Sequence, residues 1–593
     1  MKRKGNVFLK LISLITYKET KKVKEFYLPE INEGHHGQWQ DQGRQNSTSK
    51  KKFCDTRSIK TPIPVGQYKK LNKKTSKSIK ESTISDNIEI NMDCIKKQFN
   101  YPTNKDIVFR EFAVAKKHKA FIAYIDGMVD RTVINSFILR PLVDENNFDT
   151  TMESNQLYNL LTSVIETNQL KKLTLPEDIV KEILSGNTCL YVDGCEYYIS
   201  CETKGYEKRA VDKPQIEGVV KGSQEAFNEN LRTNITLIRK IVKNKDLTTE
   251  ILPIGGQNNN LCAIMYLNGI VNPAIVQEVK RRINSLKADY IAGSGMLEQF
   301  IEDSPMSILP TVLSTERPDR ASSNIFEGRV VIIAEGSPFA LIVPVTIFSL
   351  LHSPEDSSLR WQYATLIRLI RIAALFISIL LPGLYVAITN FHREMIPTDL
   401  LIAIAEAREN VPFPTIVEVL LMEMSFELIR EAGIRVPGII GNTIGIIGAL
   451  ILGQAAVQAN LVSPVLIIIV SLTGLGNFAI PDYSLAFTAR ILRIGFIFMG
   501  AVLGFYGISL GILGTLAVFL NVKSFGVPMF ASYAPKIRRR KDSIILWPIW
   551  KQELRPDEIN AQNERIQPKI SRGWTLKDAE VPDLSQEKDG GNE

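Results

Sequence analysis

Three carboxylates recur one helical turn apart in an otherwise apolar segment: Glu423, Glu427 and Glu431. At i, i+4 and i+8 they share one helix face. A row of carboxylates there attracts cations to a vestibule, gate or coupling helix. Arg430 lies three residues after Glu427 and Arg435 four after Glu431, so ion pairs on the same face compete with that role. Val419, Leu420, Met424 and Leu428 supply apolar surface beside them, and an interfacial amphipathic helix is the plainer reading. Further on come uncharged polar groups. Thr443 and Gln454 are 11 residues apart, about 20° out of register on a helix, and Gln458 is one turn on. Ser471 and Thr473 sit in the next apolar run. Such stripes line pores or make hydrogen bonds between helices. The candidate gate or vestibule is therefore Glu423, Glu427, Arg430 and Glu431, and the candidate pore lining is Thr443, Gln454, Gln458, Ser471 and Thr473.

Catalytic constellations are not legible. The five His (35, 36, 118, 352, 392) fall in no HExxH, HxxxH or nucleophile–base setting, and no phosphate-binding loop occurs. The one GxSxG string, Gly507–Gly511, lies inside an apolar run rather than at a strand-to-helix turn. Six Cys form no CxxC pair and read as reduced, buried thiols. Asp126, Asp130 and Asp193 read as turn and cap residues rather than a metal cluster. The expectation is a chain that is not an enzyme and has no cofactor and no metal.

The elements that position the polar groups are long apolar runs: Ile372–Thr389, Ile439–Ala459, Val465–Ile480 and Ile491–Leu520. A bilayer crossing takes about 20 such residues. Three runs have that length, and the last suits one tilted helix or a tight pair. Four crossings are expected, six if the last run doubles back and one amphipathic segment also crosses. Arg360, Arg368 and Arg371 before the first span and Lys536–Lys541 after the last place both termini in the cytoplasm. The runs themselves carry almost no charge, against a proton-coupled pump. Gly441, Gly445, Ala449 and Gly453, then Gly500, Gly504, Gly507, Gly511 and Gly514, recur every three or four residues and let helix backbones approach.

The rest of the chain is polar. Residues 1–100 hold 22 Lys+Arg against 10 Asp+Glu, so the net charge of +8 is a property of the tail. Its Lys/Ser/Thr/Gln-rich composition cannot offset chain entropy, and without interleaved aromatics it does not suit nucleic acid. From Asp106 short apolar strands alternate with amphipathic helices. Ala123–Ile134 aligns with Met265–Val276, and Ser185–Ile199 with Glu327–Leu341, both at an offset of 142. One offset serving two blocks marks a duplication. The fold class is a duplicated α/β soluble N-terminal domain followed by an all-α polytopic membrane domain. The boundaries read as a basic tail (1–105), a first α/β subdomain with connecting helix (106–242), a second (243–345), a transmembrane part (346–530) and a basic C-terminal tail (531–593). In the polar connection 205–244, Arg209, Glu217, Glu229, Arg232 and Arg239 are candidates for an ion-pair network between subunits or subdomains.

Several strings give the chain a resemblance to a known family. They include DIVFREF (Asp106–Phe112), YIDGMVD (Tyr124–Asp130), TERPDR (Thr315–Arg320), SPED (Ser353–Asp356), ATLIRLIR (Ala364–Arg371), AEARENVPFP (Ala405–Pro414), REAGIRVP (Arg430–Pro437) and SFGVP (Ser524–Pro528). In this order over 106–530 they resemble the A subunits of nutrient germinant receptors of bacterial endospores, the GerA type. Asn410 and Asn442 stand where that family usually has Gly and Gln. The resemblance implies a receptor subunit in the inner membrane of a dormant spore. It would work with a transporter-like B subunit that senses the nutrient and a C-subunit lipoprotein, and would oligomerise into a germinant-gated ion channel. The rival expectation is a non-conducting scaffold that couples the permease-like partner to downstream release. Homo-oligomer and membrane lipid complete the expected partners; nucleic acid is not among them.

Overall fold

The computed structural model describes residues 84–148, 157–205, 213–435, 453–531, 533–534 and 544–568. Among the described residues two compact units emerge, one up to residue 205 and the other from residue 213 onward.

The first unit is built on a five-stranded antiparallel sheet: β1 (Ile107–Val114), β2 (His118–Ile125), β3 (Leu170–Leu173), β4 (Thr188–Val192) and β5 (Tyr198–Cys201), in the order β1-β2-β4-β5-β3. Alternation along β2 and β4 splits the apolar side chains between two layers. Phe121, Ala123, Cys189 and Tyr191 face helices α1 (Ile88–Gln98) and α4 (Pro176–Leu184). Ala120, Ile122, Leu190 and Val192 face a helical stretch α2 (131–143) and α3 (Leu157–Val164). Within α2, residues Ile134–Leu139 are π-helical. Pro141 explains this: its ring has no N–H and collides with the carbonyl of Phe137, and that carbonyl instead accepts from Glu166 N at 3.3 Å. α1 is a correction to the boundary read at 106, because Ile88, Ile95 and Phe99 belong to this core.

The second unit repeats the pattern. β6 (Leu247–Ile254), β7 (Asn260–Leu267), β8 (Leu313–Thr315), β9 (Val330–Ala334) and β10 (Ala340–Val343) order as β6-β7-β9-β10-β8. α5 (Leu231–Ile241) and α8 (Pro318–Glu327) cover one face, α6 (Pro273–Asn284) and α7 (Ser294–Ile301) the other. α5, which the sequence grouped with the first subdomain, packs on the second sheet through Leu231, Ile235 and Ile238. It is the counterpart of α1, and the two share a fastening. Asn91 Nδ2 donates to Ser85 O at 2.6 Å and Asn234 Nδ2 to Asn228 O at 2.6 Å, while Asn87 and Asn230 cap the helices. Both asparagine pairs are 143 residues apart, so the duplication includes the leading helix.

The second unit continues into helices α9 (Ile347–Leu351), α10 (Trp361–Phe391), α11 (Thr398–Arg408), α12 (Thr415–Arg435), α13 (Pro464–Phe478) and α14 (Tyr483–Asn521). Among the described residues α10 and α14 are long and apolar enough to cross a membrane; α13 is apolar but shorter. α14 is not one rod. Gly504 takes φ +59° and ψ −140°, a conformation open to glycine, and the chain folds back. Gly511 then lies where a Cβ would meet Phe496 Cε1 and Met499 Sδ at 2.7 Å. The expected close approaches occur here: a Cβ on Gly383 of α10 would fall 2.7 Å from Phe496 O, and one on Gly500 would collide with Gly383 O. Gly514 has nothing within 4 Å. After α14 a short hairpin, β11 (Lys523–Ser524) and β12 (Val527–Pro528), returns to the sheet domain, and Phe525 enters the core beneath α6 and α7. Thr443 and the basic run Lys536–Lys541 lie outside the described residues.

Candidate coupling site at the base of the apolar helices

Two groups of buried ion pairs surround the apolar helices. The first joins the second sheet domain to α10. Arg368 and Arg371, one turn apart on α10, both bond Asp356, which sits in the 3-10 turn Pro354–Ser358. The contacts are Arg368 Nε to Oδ2 at 2.9 Å and Arg371 Nη1 to Oδ1 at 2.8 Å, and Asp356 is 1% exposed. Ser353 starts the turn by capping it, accepting from Glu355 N. The same turn is tied to α8. Arg320 donates to the carbonyls of Ser349 (3.3 Å) and His352 (3.0 Å), and it pairs with Glu217 of the inter-domain connection. Arg317 holds that connection through Glu217 O at 3.1 Å and Ser223 O at 2.8 Å, and Glu316 accepts from the N–H groups of Ile216 and Glu217. Segments 216–223, 315–320, 349–356 and 368–371 thus form one hydrogen-bonded path. A cavity of about 290 Å³ opens beside it, lined by Arg320, Asp356 and Arg368 and roofed by C-terminal residues such as Leu546 and Arg555.

The second group lies among the helices. Glu418, fully buried, accepts from Arg408 Nη2 at 3.0 Å and Ser463 N at 3.3 Å. Glu423 is buried against Arg493 of α14 at 3.0 Å. Glu427 bonds Arg430 at 3.1 Å and lies 3.7 Å from Arg490 of α14. Arg430 also stacks over Phe478 at 5.5 Å. Attraction within such pairs offsets the desolvation of both charges, so removing one partner costs more than the intact pair adds. The expectation of nearly uncharged spans needs correction here. Arg493 lies inside the apolar run recognised in the sequence, and α14 begins eight residues before that run and so takes in Arg490 as well.

The predicted site residues divide accordingly. Glu423, Glu427 and Arg430 come together with α14, whereas Glu431 stays exposed on α12. Gln454, Gln458 and Ser471 are exposed on the single chain. Thr473 is buried and its hydroxyl donates to Ile469 O at 2.8 Å, one turn back on its own helix. Sequence reasoning marked Arg368 and Arg371 only as topology markers and missed Asp356 and Arg320. The one signal was that SPED, TERPDR and ATLIRLIR each carry charges beside apolar sequence. Among the described residues no three His, Cys, Asp or Glu side chains group as a metal site.

Comparison with known proteins agrees in one direction. Residues 93–558 match the family described as the Bacillus/Clostridium GerA spore germination protein. Spore germination protein KA of Bacillus subtilis (strain 168) is 38% identical over 491 residues, 81% of this chain and 90% of that protein. Spore germination protein B1 of the same organism is 38% identical over 482 residues, 80% and 97% of the two chains. The crystal structure of the N-terminal domain of the A subunit of the Bacillus megaterium spore germinant receptor GerK3 is 30% identical, covering 44% of this chain and 96% of that one at a TM-score of 0.36. With most of its length matched, from the helix before the first sheet to the segment that roofs the cavity, this chain belongs to the GerA spore germination protein family.

Proposed function

We propose that the chain is the A-type subunit of a nutrient germinant receptor in the inner spore membrane, with its sheet domains and both termini facing the spore core. It assembles with further copies, with a transporter-like B subunit and with a C-subunit lipoprotein, and it conducts ions when the nutrient-bound receptor shifts its helices between two arrangements. Four to six crossings fit the two long apolar helices, the reversal at Gly504 and the shorter α13. The observation that carries the coupling step is the Asp356–Arg368/Arg371 clamp. A motion of the second sheet domain cannot bypass α10 while one buried carboxylate holds two of its guanidinium groups. Gln454, Gln458 and Ser471 point away from the packed core of their own chain, so a conduit they line has walls from several copies.

A non-conducting scaffold is the second reading. It is favoured by Glu423 and Glu427 being paired with arginines rather than facing an open path. Purified chain in liposomes separates the two: a channel releases trapped cations, alone or with its partner subunits, and a scaffold releases none under either condition. Gln at positions 423, 427 and 431 together is expected to reduce efflux. Unchanged efflux discards the role of the acidic face.

A further inference from the structure

Helix α7 and the segment after it present apolar side chains that the sheet domain does not cover. Met296 and Phe300 are exposed one turn apart on α7, while Leu297 and Ile301 of the same helix are buried in the domain core. Met306 is 68% exposed, and Ile308 is exposed as well. A soluble domain seldom leaves such a run in water. Its position indicates what covers it. Thr488 Oγ1 of α14 donates to Ile308 O at 2.6 Å, and Leu309 packs in one cluster with Leu485, Ala486 and Ala489. The segment is therefore fastened to the first two turns of α14. On the same helix Tyr483, Phe487 and Ile491 are exposed and extend the patch along it.

The level of a bilayer follows from helix lengths. The distal end of the bundle is marked by Gly504, whose missing Cβ would meet Phe391 and His392 at the end of α10. A hydrocarbon core of about 30 Å takes about 20 helical residues at 1.5 Å each. Counted back from the distal end, about 20 residues reach Ile372 on α10 and Ser484 on α14. Thr488 lies one turn inside that boundary, and Ile308 is bonded to it.

We infer that α7 and residues 304–308 form a lipid-contacting wedge, by which the second sheet domain sits in the boundary between headgroups and acyl chains. The inference rests on the reading that α10 and α14 span a bilayer. The charges near the wedge suit this placement. Asp303 is paired with Arg282. Burial, then the neighbouring Glu302 and Asp482, push the Glu298 carboxyl up to about 8, which favours its uncharged form. Residues 304–308, Ser-Pro-Met-Ser-Ile, carry no charge. An amphipathic helix with Met and Phe on its outer face buries them shallowly in an interface.

The test uses the full chain in phosphatidylcholine–phosphatidylglycerol vesicles containing lipid spin-labelled near the headgroup end of the acyl chain. A fluorophore is placed at Met306→Cys, and separately at Ile308→Cys, after Cys54 and Cys94 are changed to Ser. Leu513→Cys, exposed on the returning leg of α14, reports the span, and Gln277→Cys, exposed on α6, reports the aqueous side. Quenching at 306 and 308 is expected to be several-fold above that at 277. Quenching at 306 and 308 no greater than at 277, with 513 quenched, overturns the wedge, whether water or a second copy of the chain covers it there. If 513 also escapes quenching, the spanning reading itself is wrong and the wedge falls with it.

Discussion

Changing Asp356 to Asn tests the clamp most directly. The substitution keeps the side-chain shape and an acceptor for the turn, and removes only the charge. In the native chain that charge faces two guanidinium groups, Arg368 at 2.9 Å and Arg371 at 2.8 Å, with Arg368 5% exposed and Arg371 9% exposed. Removing one partner of a buried pair typically costs about 3–5 kcal/mol, because the other charge stays buried without compensation. The cavity beside Arg368 admits water, which lowers the cost, whereas the second arginine raises it. An expected loss of about 3 kcal/mol follows. In a body of this size each kcal/mol moves the midpoint by about 2 °C, so Tm falls by about 6 °C. Thermal unfolding of the detergent-solubilised chain, followed by tryptophan fluorescence, measures it; Trp361 opens α10 and lies two turns from Arg368. The control replaces both arginines by Met in the Asp356→Asn background. With no buried cation left unpaired, most of the loss should be recovered. A single variant as stable as the parent, or a triple variant no better than the single one, would refute the reasoning.

Two further outcomes follow from other contacts. Gly500→Val drives a side chain into the Gly383 carbonyl and should separate α10 from the first leg of α14, costing about 2 kcal/mol or more in Tm experiments; a neutral result would mean that the two backbones do not cross there. Stability should also depend on pH through Glu298, whose carboxyl burial raises to about 8. A carboxyl with a raised folded pKa binds its proton more tightly in the native state, so its contribution is full below the ordinary carboxylate range and is lost as pH rises to about 8. Glu298→Gln should therefore remove about 2 kcal/mol of the stability lost between pH 6 and pH 8, and parallel curves for parent and variant would exclude the effect.

Much of the chain was legible from its residues because local patterns carry the information. Short apolar strands and an offset of 142 shared by two separate blocks reveal two similar sheet units, since equally spaced copies of strand and turn residues rebuild the same element order. Glycine spacing in the last apolar run announces close helix contact, and Gly504 supplies a break that other residues resist. The boundaries were less legible. α1 and α5 are amphipathic in either assignment, and periodicity states that a helix has an apolar face without stating which sheet covers it.

What the sequence by itself determined is the class of each segment: polar tail, paired α/β units, apolar helices, and a set of carboxylates on α12. Only the tertiary structure decided the partners of the charges. Asp356 meets arginines 12 and 15 residues away, Glu423 meets one 70 residues away, and Glu217 meets Arg320 at a separation of 103. A charge must find an opposite group when it is buried, but helix periodicity fixes only neighbours three and four residues apart. The partner across the fold is chosen by how sheets and helices pack, and that packing pairs Glu423 with Arg493 and Asp356 with Arg368 and Arg371.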